Sequence, residues 1–441
     1  MVLKETTIVI ADDLTGANDT LLQYFKKGAK ARILIDIDDK EIFDNEADVW
    51  AVTTESRNVD KSLAFERVTL AAKELSSKLN CNNFYKKIDS TLRGNVGVEI
   101  FTLLDILDKD AAIVAPAYID EGRSTIGAYQ LLNGLPIERT QCALDPKAPI
   151  YDSYIPLILT KDITNPQVSS LISTIGLNVV TKGAGPITSK INELIQEGKK
   201  IIVLDAASNV DLEQIALAID KCNYNVLPTG SAGLANAMNK KMGDDIIQNI
   251  DFSFENLPRL IVSGSATKLT YNQIQKLKDK KNIFFVDLKV QDIIENKKDE
   301  ILEEVSSRLF MGDDVVVHSS NIASELEDEK VLSHLIDAAI AKDEFSSKIT
   351  DYLSELVYLI NQKNDFILLM VGGETSYKCA KKINSSYLEI LNNILPAVPL
   401  CCDKNGRIII TKSGNFGNIN TLADILNFFD KLRTNEKNEN I

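Results

Sequence analysis

The sequence predicts an α/β protein of two domains, each a mostly parallel sheet flanked by helices, with an active-site cleft between them. Three observations predict it. Short apolar runs of strand length alternate with stretches of helical periodicity almost throughout, the order that gives parallel sheets covered on both faces. The chain has 441 residues. One hydrophobic core rarely grows past about 250–300 residues. The alternation also lapses once, over the acidic, amide-rich stretch DDIIQNIDFSFENL that precedes Pro258.

Before that lapse, strands are expected at 7–11, 32–35, 49–53, 83–87 and 111–115, each a short apolar run with little polar alternation. Between them, Leu63, Ala64, Val68, Ala71, Ala72 and Leu75 recur at helical spacing. The pattern continues with a strand at 200–205, a helix over 211–218 and a strand at 224–227. The boundary falls near 245–258, giving domains 1–245 and 258–432. The second domain restarts with strands at 259–263, 283–288, 314–318 and 366–371. Two short strands, 397–401 and 407–411, are joined by a turn. The polar tail 433–441 reads as frayed, and no internal repeat is present.

Composition excludes several function classes. At 44% hydrophobic and 25% charged, the chain is ordinary for a globular protein, so disorder is excluded as its main state. No apolar run approaches membrane-spanning length, and the opening MVLKETTIVIADD does not read as a signal peptide. The net charge of −14, from 63 acidic and 49 basic side chains, argues against sequence-independent binding to nucleic acid. A small anionic ligand remains open, because a local pocket can be positive on an acidic protein. The six cysteines are scattered with no C-x-x-C pair, which suits a reducing cytoplasm. Two histidines argue against a zinc site, and His318, at a strand end, reads as structural. No metal ligands are assigned. A monomer and a homodimer are both open.

In α/β sheets, ligands bind at the carboxyl ends of strands. The first such junction, IADDLTGANDT, sets Asp12 and Asp13 directly after a strand, with Gly16 where a helix starts. Paired carboxylates there suit a general base or a metal ion, or simple helix capping. The second, KKIDSTLRGNVG, crowds Lys86, Lys87, Asp89, Ser90, Thr91 and Arg93 together. Strand alternation sends Lys87 and Asp89 to one face, and Arg93 can grip a carboxylate or phosphate bidentately. Arg57 and Arg123 lie on loops after strands.

In the second domain, Gly264-Ser265, Gly372-Gly373 with Thr375 capping a helix, and Ser413-Gly414 form three glycine turns at strand ends. Backbone N–H groups at such turns bind phosphate, so three of them predict a nucleotide phosphate site. The G-x-x-x-x-G-K-[ST] loop, the G-x-G-x-x-G fingerprint, the protein-kinase motifs and the G-x-S-x-G elbow are all missing.

The ordered series IADDLTGANDT, KKIDSTLRGNVG, APAYIDEGRSTIGAYQLLNG, VLDAASNVDL, TGSAGLA, VSGSATKLTYNQ, VGGETS and KSGNFG resembles the four-carbon acid sugar kinases over roughly 5–430. The resemblance implies an ATP-dependent kinase acting on threonate, erythronate or an oxo-tetronate; magnesium is expected with the ATP, as in most ATP enzymes. It implies a sugar-acid-binding N-terminal domain and a nucleotide-binding C-terminal domain. Carried over by motif, Ser265, Gly372, Gly373, Glu374, Thr375 and Gly414 would contact ATP. Asp12, Asp13, Arg57, Lys87, Asp89 and Arg93 would face the sugar acid, with Asp13 or Asp89 as the catalytic base. The competing expectations are a non-catalytic binder of these ligands, or a lyase or isomerase acting on phosphorylated sugar acids.

Overall fold

The computed structural model describes residues 6–37, 47–79, 81–145, 148–161, 163, 165–239, 257–325 and 342–439. The chain forms two compact units, Met1–Gln248 and Asn249–Ile441. Most of the expected boundary segment, 245–256, lies outside the described residues.

The first unit holds an all-parallel sheet. Its strands are β1 (Thr7–Ala11), β2 (Ala31–Leu34), β3 (Val49–Thr53), β4 (Asn83–Lys87) and β5 (Ala111–Ala115). A three-stranded antiparallel sheet follows: β6 (Arg123–Ile126), β7 (Tyr129–Leu132) and β8 (Leu135–Pro136). The main sheet resumes with β9 (Ile172–Ile175), β10 (Ile201–Leu204) and β11 (Val226–Gly230). Its order is β2-β3-β1-β4-β11-β5-β10-β9, every pair parallel. Strand β5, AAIVA, is buried at every position, as a strand covered on both faces must be. After β1 the chain crosses to β2 and β3 on one side, then to β4 on the other. The carboxyl end of β1 is therefore a topological switch point, where open α/β sheets form their ligand crevice.

Helix Lys61–Leu79 shows how sequence sets this packing. Its buried residues are Ala64, Val68, Ala71, Ala72, Leu75 and Leu79, one stripe of a 3.6-residue period. Asp60 Oδ1 accepts from the Ser62 and Leu63 N–H groups and satisfies the helix start.

The second unit repeats the plan. Strands β12 (Arg259–Ser263), β13 (Ile283–Asp287), β14 (Asp314–His318), β15 (Ile367–Val371) and β18 (Ile408–Lys412) form a parallel sheet ordered β13-β14-β12-β15-β18. Antiparallel β17 (Val398–Asp403) and β16 (Tyr387–Leu395) extend it beyond β18. Its core packs Ile261, Leu369 and Ile410 of the sheet against Ile274, Leu277, Ile425 and Phe429 of two helices.

Several expectations change. Arg123 opens strand β6 rather than standing on a loop. Strands β6 to β9 and β16 had no counterpart in the sequence reading. The expected frayed tail is helical as far as it is described, in a helix running Thr421–Glu439. The first helix starts at Leu14, not at Gly16. Strand β4 ends at Lys87, so alternation does not reach Asp89, which lies in the turn beyond.

Candidate active site

The carboxyl ends of β1, β3 and β4 bring the first group of predicted residues together. Asp13 has extended backbone and caps helix Leu14–Phe25, its Oδ1 accepting from Gly16 N at 2.8 Å. Arg57, four residues past β3, spans both aspartates. Its Nε donates to Asp12 Oδ2 at 2.7 Å, and its Nη1 and Nη2 donate to the two oxygens of Asp13, each at 2.7 Å. The helix cap and the ion pair with Arg57 therefore fall on the same Asp13 carboxylate.

The loop that carries Arg57 is held from below. Asn95 Nδ2 donates to the carbonyls of Ser56 and Val59 at 2.8 and 2.9 Å. Ser56 Oγ donates to Glu99 Oε1 at 2.7 Å, and Glu99 pairs with the fully buried Lys86. Gly94, at φ +87°, passes so close that a Cβ there would lie 3.0 Å from Arg57 Cα and Cγ. Both the backbone angle and the close approach call for glycine.

Lys87 and Asp89 follow different paths. Lys87 Nζ donates to the Ile88 carbonyl at 2.9 Å and lies against Gly16, where a Cβ would be 2.8 Å from it. No described carboxylate forms an ion pair with Lys87. Asp89 Oδ2 accepts from Thr91 Oγ1 at 2.5 Å and Arg93 Nε at 2.7 Å. Arg93 Nη1 reaches Asp145 Oδ2 at 3.0 Å. The guanidinium expected to be free for a ligand is thus largely engaged by Asp89 and Asp145.

Electrostatics divides these acids into two classes. Burial pulls the Asp12 carboxyl up, but the charges of Arg57 and Lys87 outweigh it and hold Asp12 below its ordinary value. Burial acts on Asp89 in the same way, and Arg93 and Arg57 hold it well below the carboxylate range. Two further acids, Glu55, which the sequence did not point to, and Asp19 of the IADDLTGANDT motif, go the other way. Burial pushes Glu55 up to about 7, with Asp13 adding to the rise. Burial pushes Asp19 up to about 6 against the pull of Lys87. Glu55 Oε1 accepts from Leu14 N and Thr53 Oγ1, and Asp19 Oδ1 from Tyr118 Oη at 3.2 Å.

In the second unit, the ends of β12, β15 and β18 meet. Thr267 caps helix Lys268–Leu277, and its Oγ1 also donates to the Gly414 carbonyl at 3.0 Å. Thr270 Oγ1 donates to the same carbonyl at 2.8 Å, and Gln273 Nε2 to the carbonyls of Phe416 and Asn418. One helix thus pins the whole 413–418 turn. A Cβ on Gly414 would lie 2.3 Å from Ser265 Oγ, and one on Gly264 would lie 2.5 Å from Thr375 Oγ1. Ser265, Thr375, Gly372 and Gly414 therefore converge at one place. Gly372 occupies the N-cap of helix Gly373–Lys382 with no side-chain cap, which corrects the capping role expected for Thr375. The Glu374 carboxylate accepts from Thr350 Oγ1 at 3.1 Å and lies 3.4 Å from Lys378 Nζ. His318 is buried with Nδ1 2.9 Å from Ser320 Oγ, in keeping with a structural part.

Among the described residues, no group of three or more His, Cys, Asp or Glu could hold a metal ion. No helix among them is long and apolar enough to cross a membrane. All six cysteines are free thiols.

A sugar-binding N-terminal domain model matches residues 7–238, and a nucleotide-binding C-terminal domain model matches residues 260–422. The chain belongs to the four-carbon acid sugar kinase family. Within that family it is 29% identical to a D-threonate kinase of Salmonella typhimurium, over 96% of this chain and 98% of the relative. It is 28% identical to a D-erythronate kinase of Heliobacterium modesticaldum, over 97% and 98% of the two chains. A 3-oxo-tetronate kinase of Haemophilus influenzae matches at 24%, over 93% and 96%. Two solved structures share the fold. A Haemophilus influenzae protein gives a TM-score of 0.74 at 23% identity, over 96% of this chain and all of that one. A Salmonella typhimurium protein, described as a putative tRNA synthase, gives 0.78 at 20%, over 95% and 98%. Of the motifs read in the sequence, IADDLTGANDT and KKIDSTLRGNVG lie at the first strand-end cluster and VSGSATKLTYNQ, VGGETS and KSGNFG at the second, while APAYIDEGRSTIGAYQLLNG, VLDAASNVDL and TGSAGLA follow β5, β10 and β11.

Proposed function

We propose that this protein is an ATP-dependent kinase that phosphorylates a hydroxyl of a four-carbon sugar acid. The single observation that carries the reading is the pair of strand-end clusters, one of charged side chains in the first unit and one of glycine turns in the second. Residues 1–245 would bind the sugar acid and residues 258–432 the nucleotide.

Phosphoryl transfer needs little covalent chemistry from the protein; positioning and electrostatics supply most of the rate. Lys87 is the cation for the substrate carboxylate, because no described carboxylate forms an ion pair with it, although its charge is felt by Asp12 and Asp19. Arg57 holds Asp12 and Asp13 in a fixed frame beside it. A carboxylate has about four acceptor sites. Asp13 uses three of them, for Arg57 twice and Gly16 once, which leaves one for a substrate hydroxyl. Asp89 is bound to Thr91 and three donors of Arg93, and its depressed pKa makes it a poor proton acceptor. We therefore assign Asp13 as the base and Asp89 to orienting Arg93.

Backbone N–H groups of the 264–265, 372–373 and 413–414 turns would cradle the ATP phosphates. The magnesium ion that accompanies ATP is held largely by phosphate oxygens and water, with one or two carboxylates. Asp12 Oδ1 is buried without a hydrogen-bond partner and is the hard oxygen donor that fits such an ion. When bound, the ion would neutralise charge on the phosphates. The free thiols suit a cytoplasmic setting.

Ligand-linked stability tests the reading, since a ligand that binds only the folded state raises its midpoint. ATP and D-threonate or D-erythronate should each raise the thermal midpoint. A protein indifferent to ATP at millimolar concentration would contradict the kinase assignment.

A further inference from the structure

Among the described residues, several cations set into the fold face carboxylates: Arg57 faces Asp12 and Asp13, Lys86 faces Glu99, and Arg259 faces Asp314. Lys412 does not. It is 1% exposed, at the last position of β18, and among the described residues no acid pairs with it. Its Nζ donates to the carbonyl of the next residue, Ser413, at 2.7 Å. Burial alone pushes its ammonium down to about 8. An unpaired buried charge costs stability, so its presence asks for a compensating role.

Its position supplies one. In the sheet register, Lys412 lies opposite Val371, and Val371 lies opposite Ser263. Facing residues of neighbouring parallel strands share one side of the sheet. Lys412, Val371 and Ser263 therefore form one row, and the three glycine turns begin directly after that row. Gly372 N donates to the Lys412 carbonyl at 2.8 Å, which ties two of those turns together. Two ten-residue helices, Lys268–Leu277 and Gly373–Lys382, start at the same edge. Their N-terminal dipoles favour an anion at the place where Lys412 keeps an uncompensated positive charge.

We infer that Lys412 is a ligand of the nucleotide's phosphate chain, supplying from the sheet the point charge that the glycine turns lack. The inference rests on the kinase reading and gives a role to the lysine that opens the KSGNFG motif, of which only Gly414 was carried over to ATP. A lysine acts on phosphate as a compact charge with rotatable donors, and such charge-assisted bonds are short and strong.

Calorimetric titration of the full chain with ATP, ADP and adenosine tests it. Lys412→Met should weaken ATP and ADP binding about 10- to 100-fold, the usual scale for a hydrogen bond to a charged group. Adenosine binding should stay within about twofold, because adenosine carries no phosphate. The unliganded thermal midpoint should hold or rise, since the variant removes an unpaired buried charge. Lys412→Gln, which keeps a neutral donor, serves as second variant and should fall between wild type and Met for ATP. Unchanged ATP affinity in both variants, with wild type binding ATP, would overturn the inference and leave the kinase reading standing. Equal losses for adenosine and ATP would overturn it too, by marking Lys412 as a scaffold residue. Absence of ATP binding by wild type would remove the kinase reading and the inference together.

Discussion

Arg57 grips Asp13 with both terminal guanidinium nitrogens at 2.7 Å while its Nε holds Asp12 at the same distance. This one side chain couples the end of β1 to the loop after β3. It turns two adjacent carboxylates, which would otherwise repel one another, into a fixed frame.

Removing the guanidinium should therefore damage stability as well as activity. Arg57→Met leaves the buried Asp12 and the half-buried Asp13 without this partner. Breaking a buried pair costs about 3–5 kcal/mol, so a clear fall in the urea midpoint is expected. Arg57→Met with a wild-type midpoint would show that the frame is not held by this pair.

The base assignment is separable from the frame. Asp13→Asn keeps an oxygen for Arg57 and for Gly16 N but cannot take a proton. Turnover should drop by about 10²-fold or more, the common scale for general-base catalysis. Turnover near wild type in Asp13→Asn, with a loss in Asp89→Asn, would move the role to Asp89.

Gly414 tests the proposed nucleotide site separately from the sugar-acid site. A Cβ at this position would sit 2.3 Å from Ser265 Oγ, so the turn must shift. Gly414→Ala, or Gly414→Val more strongly, should raise the KM for ATP several-fold and leave the KM for the sugar acid near wild type. Steady-state kinetics with each substrate varied in turn distinguishes this from a general loss.

Glu55 predicts a pH dependence. Its carboxyl rises from 4.5 in the unfolded chain to about 7 in the folded protein. Below 4.5 both states are protonated and the group has no effect. Between 4.5 and 7 the unfolded state ionises first, so the contribution to stability is lost as pH rises and stays lost above 7. Glu55→Gln should remove this loss. Denaturation midpoints at pH 5 and pH 8 should lie closer together in the variant than in wild type.

The sequence made the sheets legible because their strands are buried on both faces and so read as unbroken apolar runs. Strand β16, YLEILNNIL, escaped notice because much of it is only half buried and its polar residues break the run. The charged residues at the ends of β1, β3 and β4 were legible from their density. Their pairing was not: Arg93 looked free for a ligand, yet Asp145 meets it from 52 residues away. Asp19 and Lys412 lie inside motifs read from the sequence and Glu55 lies beside Arg57, yet nothing local showed how deeply any of them is set. Each is an ordinary charged residue whose meaning comes from burial, and burial is set by tertiary packing. Lys412 follows three isoleucines and a threonine, and nothing local shows that no described acid pairs with its ammonium.

The central claim is phosphoryl transfer from ATP to a four-carbon sugar acid. The most direct test is ADP release measured with the threonate, erythronate and 3-oxo-tetronate stereoisomers in turn. The account predicts that at least one of them accelerates ADP release far above the rate with ATP alone, with a phosphorylated acid formed in equal amount. ATP binding without acceleration by any of these acids would contradict it.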